Sequence, residues 1–166
     1  MKPFQKLLFT FLLALLFSLT SFSQTETAKK EQRYIFFLHN AYVEQNDLSV
    51  AHPEYGKAEY NEILASFRKD NFIVYSEIRS KNTNAAEYAK KVVKQIKGLL
   101  KKGIPPNKIT VIGTSKGGYI AQYVSTFLAN PDVNFVFIGC FRDSDIEEIP
   151  DINFCGNILT IYEKSD

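Results

Sequence analysis

Cysteine and histidine are scarce in this sequence: two of each occur in 166 residues. No His, Cys or acidic group has the spacing of metal ligands, so no metal site is expected. No Gly-x-Gly-x-x-Gly and no phosphate-loop pattern occurs, so no nucleotide or other cofactor is expected either. Excess charge of one sign is also missing. The formal +2 comes from 20 basic and 18 acidic residues, and Lys2 and Lys6 supply the difference. Without those two lysines the counts balance, and no basic face interleaved with aromatics remains to hold a nucleic acid. The one long apolar run, Leu7 to Phe17, is short for a membrane span. There is no internal repeat.

That run follows the basic start Met1-Lys2-Pro3-Phe4-Gln5-Lys6 and precedes small residues at Ser21 and Ser23. The pattern is a secretory signal peptide over 1–23, cleaved near Ser23–Gln24. No cysteine stands in this region to be lipidated. The mature protein is therefore expected to be secreted or periplasmic, with no stable membrane association after cleavage. Residues 24–33 are polar and read as a flexible lead-in. One globular domain over 34–166 follows; 45% hydrophobic and 23% charged residues suit an ordinary core.

Within that domain, continuous apolar runs predict strands buried on both faces at 34–38, 72–75, 109–112, 135–138 and 158–162. Helical spacing separates them. Tyr60, Ile63, Leu64 and Phe67 share one face, and so do Tyr88, Val92, Ile96, Leu99 and Leu100. Asn84 is a plausible cap, Gly103 a stop, and Pro105-Pro106 a break. The alternation predicts an α/β fold: a doubly wound, mostly parallel sheet of about five strands. The simplest order is second, first, third, fourth, fifth. Its switch point lies between the first and third strands, where ligands bind beyond the carboxyl ends. In this layout Cys140 ends one strand and Cys155 precedes the next. The two would lie about 15–20 Å apart, whereas a bridge needs roughly 7 Å, so two free thiols are expected.

The chemistry concentrates at the end of the third strand. Gly113-Thr114-Ser115-Lys116-Gly117-Gly118 joins Ile109-Thr110-Val111-Ile112 to a helix-like segment from Tyr119. Gly-x-Ser-x-Gly between strand and helix is the pattern of a nucleophile elbow. Gly113 and Gly117 leave room for the tight turn. The N–H of Lys116 lies at a helix start, where unpaired donors favour negative charge. The competing reading makes Ser115 an ordinary polar cap.

With this elbow, the strand ending in His39-Asn40-Ala41 and the late strand ending in Tyr162-Glu163-Lys164-Ser165-Asp166, the chain resembles the α/β-hydrolase superfamily, specifically its small exported bacterial members. The resemblance covers about residues 34 to 166 and implies a serine hydrolase of ester-like acyl bonds acting on a small-molecule substrate. It assigns Ser115 as nucleophile and Asp166 as the acid that orients a histidine. The oxyanion hole takes the N–H of Lys116 and that of Ala41, or of Asn40 if the turn is shifted by one. The family's histidine follows the acid, yet His39 and His52 both precede Ser115. Losing that histidine costs about 10⁶ in turnover, and an oxyanion donor is worth only about 3–4 kcal/mol. The sequence is accordingly expected to be an incomplete record of a longer hydrolase, close to inactive as written, with its fifth strand an exposed apolar edge. The alternative is a non-catalytic member of the fold that binds a ligand or protein and needs no histidine.

Other residues carry lesser expectations. Asp143 and Asp145 are a rival acid position, and Arg142 is placed at the pocket mouth. His39 is placed at the pocket as well, ordering backbone beside the oxyanion turn. His52 reads as a loop or helix-entry residue, Glu77 and Arg79 as a surface pair or else part of the cleft rim, and Tyr119 and Tyr123 as packing. A flavodoxin-type fold would suit the strand order, but His39-Asn40-Ala41-Tyr42-Val43 lacks the glycines and hydroxyls of a phosphate-cradling loop.

Overall fold

The computed structural model describes residues 31–140 and 152–162. The expected leader, Arg142, Asp143, Asp145 and Asp166 lie outside the described residues. The first strand, β1 (Arg33–Leu38), is hydrogen-bonded on one side to β4 (Phe72–Tyr75) and on the other to β5 (Ile109–Thr114). Next to β5 come β6 (Asn134–Ile138) and β7 (Asn157–Ile161). All four pairings are parallel. The order β4-β1-β5-β6-β7 is the expected second, first, third, fourth, fifth. The fold is thus a doubly wound parallel α/β sheet, with its switch point between β1 and β5.

The alternation of side chains along β1 explains its unbroken apolar run. Tyr34, Phe36 and Leu38 enter one hydrophobic cluster, whereas Ile35 and Phe37 enter the other. The first cluster is closed by helices α3 (Ala85–Lys101) and α4 (Lys116–Leu128). Val92, Ile96 and Leu99 supply the buried stripe of α3, and Ile120, Ala121 and Val124 that of α4. Asn84 caps α3 as expected, its Oδ1 accepting from Glu87 N–H at 3.0 Å. The opposite cluster is closed by α1 (Ala41–Gln45) and α2 (Tyr60–Lys69) through Val43, Tyr60 and Leu64.

Three features depart from the sequence pattern. A short antiparallel hairpin, β2 (Ala51–His52) with β3 (Gly56–Lys57), occupies a stretch with no strand signal. β1 begins at Arg33, inside the expected lead-in. Every residue of β7 is exposed, including Leu159 at 55%, which departs from the strand buried on both faces read at 158–162 and agrees with the exposed apolar edge expected there; among the described residues only β6 pairs with it. Neither cysteine forms a disulfide. The Cys155 backbone is tied to α4 instead, where Ser125 Oγ receives its N–H and donates to its carbonyl.

Candidate active site

Residue Ser115 joins β5 to α4 with φ 48° and ψ −120°, a conformation that non-glycine residues avoid and that surrounding structure must impose. Backbone bonds impose it. The Ser115 N–H donates to Ile138 O at 2.9 Å, and the Ser115 carbonyl accepts from Gly118 N–H at 2.7 Å and Tyr119 N–H at 3.2 Å. Its side chain makes no capping hydrogen bond, so an ordinary polar cap does not describe it. Space for the turn comes from the two glycines. A Cβ on Gly113 would fall 2.2 Å from Gly117 O, and one on Gly117 would fall 1.9 Å from Leu38 O.

The exposed Ser115 lines a cleft of about 580 Å³. Asn40 and Ala41 line the same cleft, because Leu38 and Gly113 are register partners and the chain turns into a helix just beyond each. Asn40 is the cap of α1, with Oδ1 accepting from Val43 N–H at 3.0 Å. The Ala41 amide, one residue past that cap, has no intrahelical acceptor, and neither does the Lys116 amide that opens α4. The Ala41 amide thus lines the cleft with Ser115, and the Lys116 amide follows Ser115 directly in the chain.

Neither histidine is free to accept a proton from that serine. His39 is buried, 2% exposed, and is not among the residues that line this cleft, contrary to its expected place at the pocket; it bonds backbone beside Asn40 instead. A carbonyl can only accept, so its Nδ1 carries the proton and donates to Asn40 O at 2.8 Å. Its Nε2 accepts from Arg79 N–H at 3.0 Å. Burial, reinforced by the nearby Arg79 charge, lowers its pKa to about 4 against the favourable bond to Asn40. His52 does line the cleft, stacked on Tyr55 with ring centroids 4.8 Å apart. Its Nδ1 accepts from the N–H groups of Glu54 (3.1 Å) and Tyr55 (3.3 Å). In the neutral ring the proton then sits on Nε2, which makes that nitrogen a donor.

The polar network behind these residues carried no sequence signal. Arg79 was expected to pair with Glu77 at the surface, but it is 3% exposed and bonds Glu44 Oε2 through Nε at 3.0 Å. Glu77 instead takes Lys91 and the Tyr88 hydroxyl. Glu44 also receives Lys116 Nζ at 2.5 Å and Thr83 N–H at 3.0 Å on Oε1. Burial pushes the Glu44 carboxyl up, but the bonds from Lys116, Arg79 and Thr83 outweigh it and hold the group below its ordinary value. An acidic residue inside a short helix, 35 positions from its arginine, has no local pattern to betray it. Among the described residues no three His, Cys, Asp or Glu side chains group as metal ligands, and no helix is long and apolar enough to cross a membrane.

No family model matches this chain, and no curated protein matches it. Among solved structures it is similar to SOBER1 of Arabidopsis thaliana, at 13% identity and a TM-score of 0.48, over 79% of this chain and 89% of that one. It is similar to the esterase PE8 at the same identity and TM-score, over 78% of this chain and 67% of that one. Likenesses this distant leave the chemistry to be argued from the site. Ser115 stands in a Gly-x-Ser-x-Gly turn beside the switch point of the parallel sheet.

Proposed function

We propose that this domain is a serine hydrolase of ester-like acyl bonds, with Ser115 as the nucleophile. One observation carries the reading: Ser115 is held at φ 48°, ψ −120° without a capping bond, in a cleft it shares with Ala41. Such a strained, exposed serine at a strand-to-helix turn is how an elbow offers Oγ to a carbonyl carbon. As the C–O bond forms, charge grows on the carbonyl oxygen. The N–H groups of Lys116 and Ala41, with Asn40 as the shifted alternative, would receive it, each for about 3–4 kcal/mol of barrier. The resemblance gives Asp166 the task of orienting the histidine that takes the Ser115 proton. With both nitrogens of His39 engaged and the Nε2 of His52 protonated, that histidine is neither of these. The substrate is a small acyl compound. The leader over 1–23 supports action outside the cytoplasm.

The occupied histidines favour a second reading, a non-catalytic domain that binds a ligand in the same cleft. Treating the full-length product of the gene with a fluorophosphonate probe separates the two. Covalent labelling that disappears in Ser115→Ala supports the hydrolase. No labelling, together with saturable shifts of cleft resonances by phenyl acetate in NMR titration, supports the binding domain and ends the first reading.

A further inference from the structure

The two amides assigned to the oxyanion hole come from different segments, one after β1 and one after β5. Parallel pairing fixes the strand ends, since Leu38 partners Gly113, but beyond that point each chain turns out of the sheet. The segment carrying Ala41 opens a helix of only five residues, too short to hold its own orientation. Yet a donor must meet the developing oxyanion within a few tenths of an ångström of about 2.9 Å. Something other than the sheet must set the separation of the two amides.

We propose that Glu44, acting with Arg79, is the positioning residue that holds both amides in register; the inference rests on the hydrolase reading above. The first half of the argument is peptide geometry. The Asn40 carbonyl and the Ala41 N–H belong to one planar trans peptide, so fixing the oxygen aims the N–H the opposite way. That oxygen is held twice, by His39 Nδ1–H at 2.8 Å and by Arg79 Nη2 at 3.3 Å. The His39 carbonyl shares its peptide with the Asn40 N–H, the alternative donor, and Arg79 Nη2 holds that oxygen too, at 2.5 Å. Whichever amide faces the substrate oxygen, Arg79 grips the far end of its peptide. Donation onto those carbonyls also polarises the N–H groups they share peptides with.

The second half is the carboxylate. Glu44 anchors the guanidinium through Nε at 3.0 Å and, on its other oxygen, receives the ammonium of Lys116 at 2.5 Å. Lys116 is the residue whose N–H forms the other half of the hole. One carboxylate thus ties the clamp on the first amide to the side chain of the residue bearing the second, 72 positions away in sequence. The arrangement is costly: the side chains of Glu44 and Arg79 have no exposure at all, and a buried ion pair is poor value for stability compared with apolar packing. A role in fixing geometry accounts for its presence.

The test uses the pseudo-first-order rate of fluorophosphonate labelling of the full-length protein, with kcat and KM for a p-nitrophenyl ester and a thermal melt on each variant. Glu44→Gln keeps the shape but offers an NH₂ where donors already converge. It is expected to slow labelling and kcat by about ten- to a hundredfold, with KM within about twofold of wild type. Lys116→Met leaves the buried Glu44–Arg79 pair intact and cuts one arm only. It is expected to slow labelling about three- to tenfold, and Lys116→Arg to recover most of that loss. A folded Glu44→Gln, or a Lys116→Met, that labels at the wild-type rate overturns the inference while leaving Ser115 as the nucleophile. Should Glu44→Gln fail to fold, Lys116→Met decides alone. Wild-type protein that never labels overturns the hydrolase reading itself.

Discussion

Gly117 lies so close to Leu38 that a Cβ added to it would fall 1.9 Å from the Leu38 carbonyl oxygen. Both partners are backbone, so no side chain can swing aside to relieve the contact. Gly117→Ala must push the start of α4 away from the end of β1, and with them the adjoining cleft residues Ser115 and Asn40–Ala41. It is expected to destabilise the protein by about 3 kcal/mol or more and to abolish labelling of Ser115. Gly98→Ala provides the control. Gly98 sits inside α3 with nothing within 4 Å of an added Cβ, and the change should stabilise by about 0.5–1 kcal/mol. Urea denaturation of the two variants checks both signs.

Backbone strain at Ser115 can be read out separately from its chemistry. Ser115→Gly removes the Cβ that makes φ 48° unfavourable. The relief outweighs the extra chain entropy of glycine, so stability should rise by about 1 kcal/mol while labelling is lost. A loss of stability in this variant would show that the turn stores no strain.

Acid should weaken the fold through His39. Its pKa falls from an ordinary 6.5 to about 4 on folding, chiefly because burial penalises the imidazolium. Between those values the unfolded chain binds a proton that the folded chain refuses, so stability rises with pH across this window. The contribution is complete above about pH 6.5 and declines as pH falls toward 4, by about 3 kcal/mol in total. Denaturant melts of wild type and His39→Gln at pH 7 and pH 4.5 measure it. The variant is expected to be less stable at pH 7 and to lose less on acidification. Equal losses in both proteins would move the effect elsewhere, with Glu44 acting at lower pH.

His52 is expected to shape the cleft rather than to accept a proton. Its Nδ1 holds the turn of the β2–β3 hairpin through Glu54 and Tyr55. His52→Gln should therefore raise KM for an aryl ester and lower kcat less than about tenfold, with the kcat pH profile unchanged. A fall approaching 10⁶, the scale of losing a catalytic base, would identify it as that base.

Local patterns announce much of this molecule. The five apolar runs specify five strands. The i, i+3, i+4 stripes of Tyr60–Phe67 and Tyr88–Leu100 specify the helices between them, and handed crossovers leave few orders for joining them. The elbow is equally local, because Gly113 and Gly117 are needed within one turn of the serine they flank. The hairpin went unread because Ala51-His52 and Gly56-Lys57 are two-residue strands with no apolar alternation. Arg79 was misplaced because its charge suggested the surface, and only the Glu44 carboxylate makes its burial tolerable.

By itself, then, the sequence determined the alternation of strand and helix, the parallel order and the position of the serine. Each follows from periodicity or from glycine within a few residues. Tertiary structure alone decided which nitrogen of each histidine holds a proton, and that Glu44, Arg79 and Lys116 meet behind the cleft. Those outcomes depend on partners brought together across 35 to 72 residues. A hydrogen bond formed at such a separation leaves no spacing in the chain to read.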